Sequence, residues 1–151
     1  MKIKHRNFVA LALLFSTVLH EAAIARPLNQ AEQEVVNQLQ LAIERSQEEG
    51  YQLVGPRNVS QLTRGADAPK TMLLSPDRQY MFIAVCDRKC NQIKLVVKDM
   101  KGNQVASNPA NDAVAILNFK PPSENRYQVT VKMEKCATRS CTFGLGIFAK
   151  R

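Results

Sequence analysis

The clearest alternation in the chain runs over residues 127–134. Tyr127, Val129, Val131 and Met133 alternate there with Gln128, Thr130, Lys132 and Glu134. A period of two places one set on the covered face of a strand and the other toward solvent. Ile93, Leu95 and Val97 alternate in the same way with Lys94, Val96 and Lys98, which predicts a half-exposed strand. Residues 80–86 are apolar on both faces, as in a central strand covered on both sides. Near the end, Phe143, Leu145, Ile147 and Ala149 share one face of a strand, and Thr142, Gly144 and Gly146 share the other. The missing side chains on that second face let a neighbouring element come close.

The rhythm differs upstream. Leu28, Ala31, Val35, Leu39, Ala42 and Ile43 recur at three- and four-residue spacing. That stripe predicts an amphipathic helix over 27–50, capped by Asn29 and stopped at Gly50. Between helix and strands, residues 51–76 break into short pieces. Strands are expected at 51–54, 59–62 and 71–74, with a loop at 64–69 marked by Gly65, Asp67 and Pro69. Further turns are marked by Ser75-Pro76-Asp77-Arg78, by Asp99-Met100-Lys101-Gly102-Asn103 and by the Pro, Ser and Asn residues of 120–126. Residues 104–107 and 113–119 are the remaining strands. About seven or eight short strands with regular turn signals predict an antiparallel, jelly-roll-like β-sandwich preceded by one helix. The pair of strands joined by the loop after residue 86 is read as its core hairpin.

The first 25 residues read as a leader. Lys2, Lys4, His5 and Arg6 precede an apolar run over 8–19, and Ala23-Ile24-Ala25 carries small residues where a signal peptidase cuts. Cleavage is expected after Ala25, giving three parts: 1–25 signal peptide, 26–50 helix, 51–151 sandwich. The run is short for a membrane span, and no later segment is long and apolar enough to be one. The expected location is periplasmic or extracellular.

Four cysteines fit that compartment: Cys86, Cys90, Cys136 and Cys141. An even count in an exported chain points to two disulfides, with three connectivities open. Pairing Cys86 with Cys90 and Cys136 with Cys141 is favoured, because each pair brackets a short polar loop between strands. A four-thiolate zinc site is the competing reading. Neither pair has the C-x-x-C spacing of a redox site.

Charge and residue inventory narrow the function. The chain has a net charge of +8; the leader holds three cations and one acid, which leaves +6 for the rest. The helix segment is acidic and the strand region strongly basic, with a net +9 over 51–151. A basic body suits an anionic partner, and equally serves solubility. Both histidines, His5 and His20, lie in the leader. The remainder therefore has no Ser-His or Cys-His pair and no H-E-x-x-H metal site. No Gly-rich phosphate loop is present. The chain is read as non-enzymatic and free of cofactors and metals.

The order of motifs supports a comparison. It runs strand, Cys86-Asp87-Arg88-Lys89-Cys90, alternating strand, Asp99-x-x-Gly102, a polar loop with Asn111-Asp112, strand, Pro121-Pro122 turn, Tyr127-x-Val129-x-Val131, the second cysteine loop and a small-residue strand. Over residues 71–149 this resembles the bacterial pre-peptidase C-terminal domain and its exported stand-alone relatives. The resemblance implies an eight-stranded jelly-roll-like sandwich without catalytic activity, found in secreted proteins and often attached to extracellular peptidases. The sequence departs from it at Gln92-Ile93-Lys94-Leu95, where members often carry an acidic pattern suited to calcium. A lysine there would repel the ion.

The candidate surface follows from the loops. Arg88 and Lys89 lie inside the first cysteine loop, and Lys135 and Arg139 flank and occupy the second. If both loops fall at one end of the sandwich, they form a rigid basic rim on a scaffold that favours binding. The expected partner is an anionic polysaccharide or other envelope component. The alternative is a structural or accessory protein that docks a secreted partner through the helix stripe. Nucleic acid is not expected, because Tyr80, Phe82, Tyr127 and Phe143 occupy core-like positions instead of standing among the cations.

Overall fold

One helix lies across the outer face of a two-sheet sandwich in the computed structural model, which describes residues 26–109 and 112–151. The leader expected over 1–25 lies outside the described residues. The helix α1 spans Gln30–Glu48. Nine strands follow: β1 (Gln52–Leu53), β2 (Asn58–Thr63), β3 (Asp67–Leu74), β4 (Gln79–Cys86), β5 (Cys90–Asp99), β6 (Gln104–Ser107), β7 (Val114–Phe119), β8 (Asn125–Cys136) and β9 (Ser140–Lys150). Sheet A runs β1-β9-β4-β7, with β2 also paired to β9; sheet B runs β3-β8-β5-β6. Every pairing is antiparallel.

Local chemistry explains the helix ends. The Asn29 side chain accepts from the Glu32 amide, and the Glu32 carboxylate accepts from the Asn29 amide. Two of the orphan donors of the first turn are thus satisfied reciprocally. Gly50, at φ 83°, takes the left-handed conformation that ends the helix.

The sandwich has two apolar layers. The larger fills the space between the sheets, with Phe82, Ile93, Leu95, Val129, Val131, Met133 and Ile147 among its members. The smaller lies between α1 and sheet A, where Val35 and Leu39 meet Met81, Ile83, Val85 and Phe148. This second layer explains why residues 80–86 are apolar on both faces: β4 is covered by sheet B on one side and by α1 on the other. Gly144 and Gly146 also find their reason here. A Cβ on Gly144 would stand 2.6 Å from Leu39 Cδ1 and 2.7 Å from Val35 Cγ1.

Three expectations change. The described residues hold nine strands, because the pieces at 51–54 and 59–62 both pair with β9. The loop expected over 64–69 is only a turn at Arg64-Gly65, and β3 begins at Asp67. Pro69 is tolerated within it because β3 is an edge strand, with one side of its ladder unneeded. The third change matters most for the site. The strands around the Cys86–Cys90 loop are not a hairpin: β4 belongs to sheet A and β5 to sheet B. The loop is an arch that carries the chain from one sheet to the other.

Candidate functional site

The disulfides join Cys86 to Cys90 and Cys136 to Cys141. Each closes an arch between sheets, β4 to β5 and β8 to β9. Within sheet A, β4 pairs with β9; within sheet B, β5 pairs with β8, with Cys90 opposite Cys136. Parallel crossings between the same two pairs of strands put the arches side by side at one end of the sandwich. A turn closed by a disulfide is rigid, so what it presents is held in place.

Backbone bonds tie the two arches into one unit. The Ala137 amide donates to the Lys89 carbonyl at 2.8 Å, and the Asp87 amide donates to the Thr142 carbonyl at 2.9 Å. Asp87 is the buried clamp between them. Its carboxylate accepts from the Thr142 amide at 2.7 Å on one oxygen and from the Lys89 amide at 3.0 Å on the other. Its carbonyl accepts from the Cys90 amide at 2.9 Å. The group is only 3 % exposed, yet both carboxylate oxygens have donors, which is what burial of a carboxylate requires.

A third turn joins them. The Arg64 amide donates to the Arg139 carbonyl at 3.0 Å, and the Gly65 amide to the Met133 carbonyl at 2.7 Å. Gly65 sits at φ 79°, a conformation an L side chain would strain. Arg64, absent from the expected rim, therefore stands beside Arg139. Its signal in the sequence was the Arg-Gly dipeptide of a tight turn, but nothing local tells which other turn it will meet.

Arg88, Lys89, Lys135, Arg139 and Arg64 are all exposed. They differ in their surroundings. Arg88 Nε lies 3.6 Å from the Glu34 carboxylate of α1, with both side chains partly open to solvent. A pair of that kind contributes little and can be displaced. Among the described residues, Lys89, Lys135, Arg139 and Arg64 have no ion-pair partner. Glu134, next to Lys135, is an exposed acid at the same end.

The start of α1 and the first arch enclose an open cleft of about 540 Å³, lined by Gln30, Glu34, Gln61, Asp87, Arg88 and Lys89 among others. Arg88 and Lys89 border it; Lys135 and Arg139 do not. The expected rim thus divides into a cleft half and an outer half, coupled through the Lys89–Ala137 bond. Among the described residues, no three His, Cys, Asp or Glu side chains converge as metal ligands would.

The helix stripe has a different place. Val35 and Leu39 are fully buried against sheet A, and Ala31, Ala42 and Ile43 are half-buried. Leu28 alone of the stripe remains exposed. No helix among the described residues is long and apolar enough to cross a membrane. No family model matches the chain, and no curated protein matches it.

Proposed function

We propose that the protein is an exported, non-catalytic interaction module that holds an anionic polymer of the envelope or the extracellular space, such as an acidic polysaccharide, on its two disulfide-closed arches. The leader, the compartment and the kinship with pre-peptidase C-terminal domains belong to the same proposal. The observation that carries it is the 2.8 Å bond from the Ala137 amide to the Lys89 carbonyl, which couples the arch bearing Arg88 and Lys89 to the arch bearing Lys135 and Arg139. Cations on linked, rigid turns lose little conformational freedom when a charged chain lies across them. A linear polyanion, with charges at intervals, suits a rim more than a single small anion does.

The aromatics favour a sugar or simple polyanion over single-stranded nucleic acid. Tyr80, Phe82, Tyr127 and Phe143 are all buried, so no base could stack on them. The accessory reading, docking through the helix stripe, draws no support from a stripe whose centre already lies against sheet A.

Binding to dextran sulfate, followed as a function of salt, tests the proposal. The affinity should fall steeply with added salt, as expected where cations neutralise a polyanion. Replacing Arg88, Lys89, Lys135 and Arg139 together by Ala should weaken it by at least about tenfold and flatten the salt dependence. Unchanged binding in that variant would refute the reading.

A further inference from the structure

The edge strand β7 lacks the protections that the other edges of the sandwich carry. At the opposite edge of sheet A, the β1–β2 edge is interrupted by Gly55-Pro56. In sheet B, β3 holds Pro69 and Lys70, and β6 has four residues and faces a register shift at Val97/Lys98. Breaks, prolines, lysines, bulges and shortness are the usual means of keeping an edge from pairing with another chain. β7 reads Val-Ala-Ile-Leu-Asn-Phe, six residues with no proline, charge or bulge. It pairs with β4 on one side, and none of the described strands pairs with its other side. Its outer face, Val114, Ile116 and Asn118, carries two exposed apolar side chains. Val114 is 39 % and Ile116 53 % exposed, and both border a groove of about 400 Å³ beside α1, where Leu41 is 54 % exposed.

The charges at its two ends say what would cover it. Asp112 lies two residues before β7, in a bend whose carbonyl accepts from the Ile93 amide of β5, and Lys120 lies just after β7; both side chains are exposed. An antiparallel pair of identical strands is related by a two-fold axis, so any residue faces the one equally far from the axis on the other copy. With the axis at Ile116, Val114 faces Asn118, Ala115 faces Leu117, and Asp112 faces Lys120, each twice. Moving the axis to Ala115 or to Leu117 puts Asp112 opposite Asn118 or Pro122 and loses both charge pairs. The alternation of the pleat is kept, so Val114 and Ile116 of both copies share one face. We infer that β7 is a self-recognition edge, pairing antiparallel with β7 of a second copy about Ile116 and joining the two A sheets into one. Sheet extension by an added strand is a general mode of recognition in which main-chain bonds supply affinity and flanking side chains supply register.

Sedimentation equilibrium with charge-swapped variants tests this. The unaltered protein should show a concentration-dependent dimer. Asp112→Lys alone and Lys120→Asp alone each set like charges against each other at both ends, and each should weaken dimerisation at least about tenfold. An equimolar mixture of the two variants restores both attractions, so it should dimerise like the unaltered protein. Ile116→Lys, which sets two lysines side by side at the axis, should be monomeric and provides a second test should Asp112→Lys fold poorly. A monomer at concentrations up to about 1 mM would overturn the inference, since weaker association has no practical affinity. So would a dimer indifferent to Lys120→Asp and Ile116→Lys, or a mixture no more associated than its components.

Discussion

Leu39 of the helix occupies the space that a side chain on Gly144 of β9 would need: a Cβ there would stand 2.6 Å from Leu39 Cδ1. Helix and sheet approach this closely only because the strand has no side chain at that point. Val35 Cγ1, at 2.7 Å from the same position, closes the other side. Gly144→Ala should therefore destabilise the fold by roughly 1–3 kcal/mol, the usual cost of overpacking. Leu39→Ala should cost about 2–5 kcal/mol by leaving a cavity. In the double variant the two costs should not add, because the new methyl enters the space that Leu39 vacates. Chemical denaturation of the three variants checks this; strict additivity would mean that the helix is not seated on Gly144.

Asp87 should matter more for the arches than its position ahead of Arg88 and Lys89 implies. Its carboxylate holds the Thr142 and Lys89 amides. Asp87→Ala leaves both amides without their acceptor in a buried setting, which costs roughly 1–3 kcal/mol. Asp87→Asn keeps one acceptor oxygen and should fall between. Amide hydrogen exchange at Lys89 and Thr142 is the direct readout, and protection there should drop in the alanine variant more than elsewhere in β4 and β9.

The disulfides close loops of similar length, and by chain entropy alone each should contribute about 2 kcal/mol. Replacing Cys86 and Cys90 together by Ser should lower stability by that order. It should also loosen the second arch through the Lys89–Ala137 bond. Exchange at Ala137, in a loop that keeps its own disulfide, reports the coupling. An Ala137 amide as protected as before would show that the arches behave independently.

Glu32 predicts a pH effect at the helix start. The Arg26 guanidinium hydrogen-bonds its carboxylate, and together with the Asn29 amide holds its pKa down at about 2, from the ordinary 4.5. A carboxyl whose pKa is lower in the folded state stabilises the fold above its ordinary pKa. That contribution is lost as pH falls from about 4.5 toward about 2. The first turn of α1 should fray in that window, and added salt should bring the onset to higher pH by screening the Arg26 pair. Glu32→Gln keeps the capping geometry but removes the charge, so its helix start should be insensitive to pH there. Carbon chemical shifts of the Glu32 carboxyl follow the titration directly.

Much of the fold was legible because burial leaves a period in the sequence. The stripe through Val35 and Leu39, the alternation from Tyr127 to Met133 and the smooth face of Gly144 and Gly146 each translate into an observed contact or face. The cysteine pairing was legible from loop length alone. What the pattern could not carry was the partner of each strand. A short polar loop between two strands reads alike whether it closes a hairpin or arches between sheets, so β4 and β5 were expected to pair and do not. For the same reason the rim was only conditional on the loops meeting, and Arg64 was missed. Its approach to Arg139 depends on β2 and β3 flanking β9 and β8, which is a long-range fact. Pro69 misled locally, because a proline marks a break in a central strand but not at an edge.

The proposed function requires the two arches to act as one anion-binding surface. Titrating isotopically labelled protein with a defined sulfated oligosaccharide, and following backbone amides by NMR, tests it most directly. Saturable shifts are expected at Arg88, Lys89, Ala137, Arg139 and Arg64, sharing one affinity and weakening together with added salt. Shifts confined to one arch, or shifts concentrated on the lysines of sheet B such as Lys94 and Lys132, would contradict it.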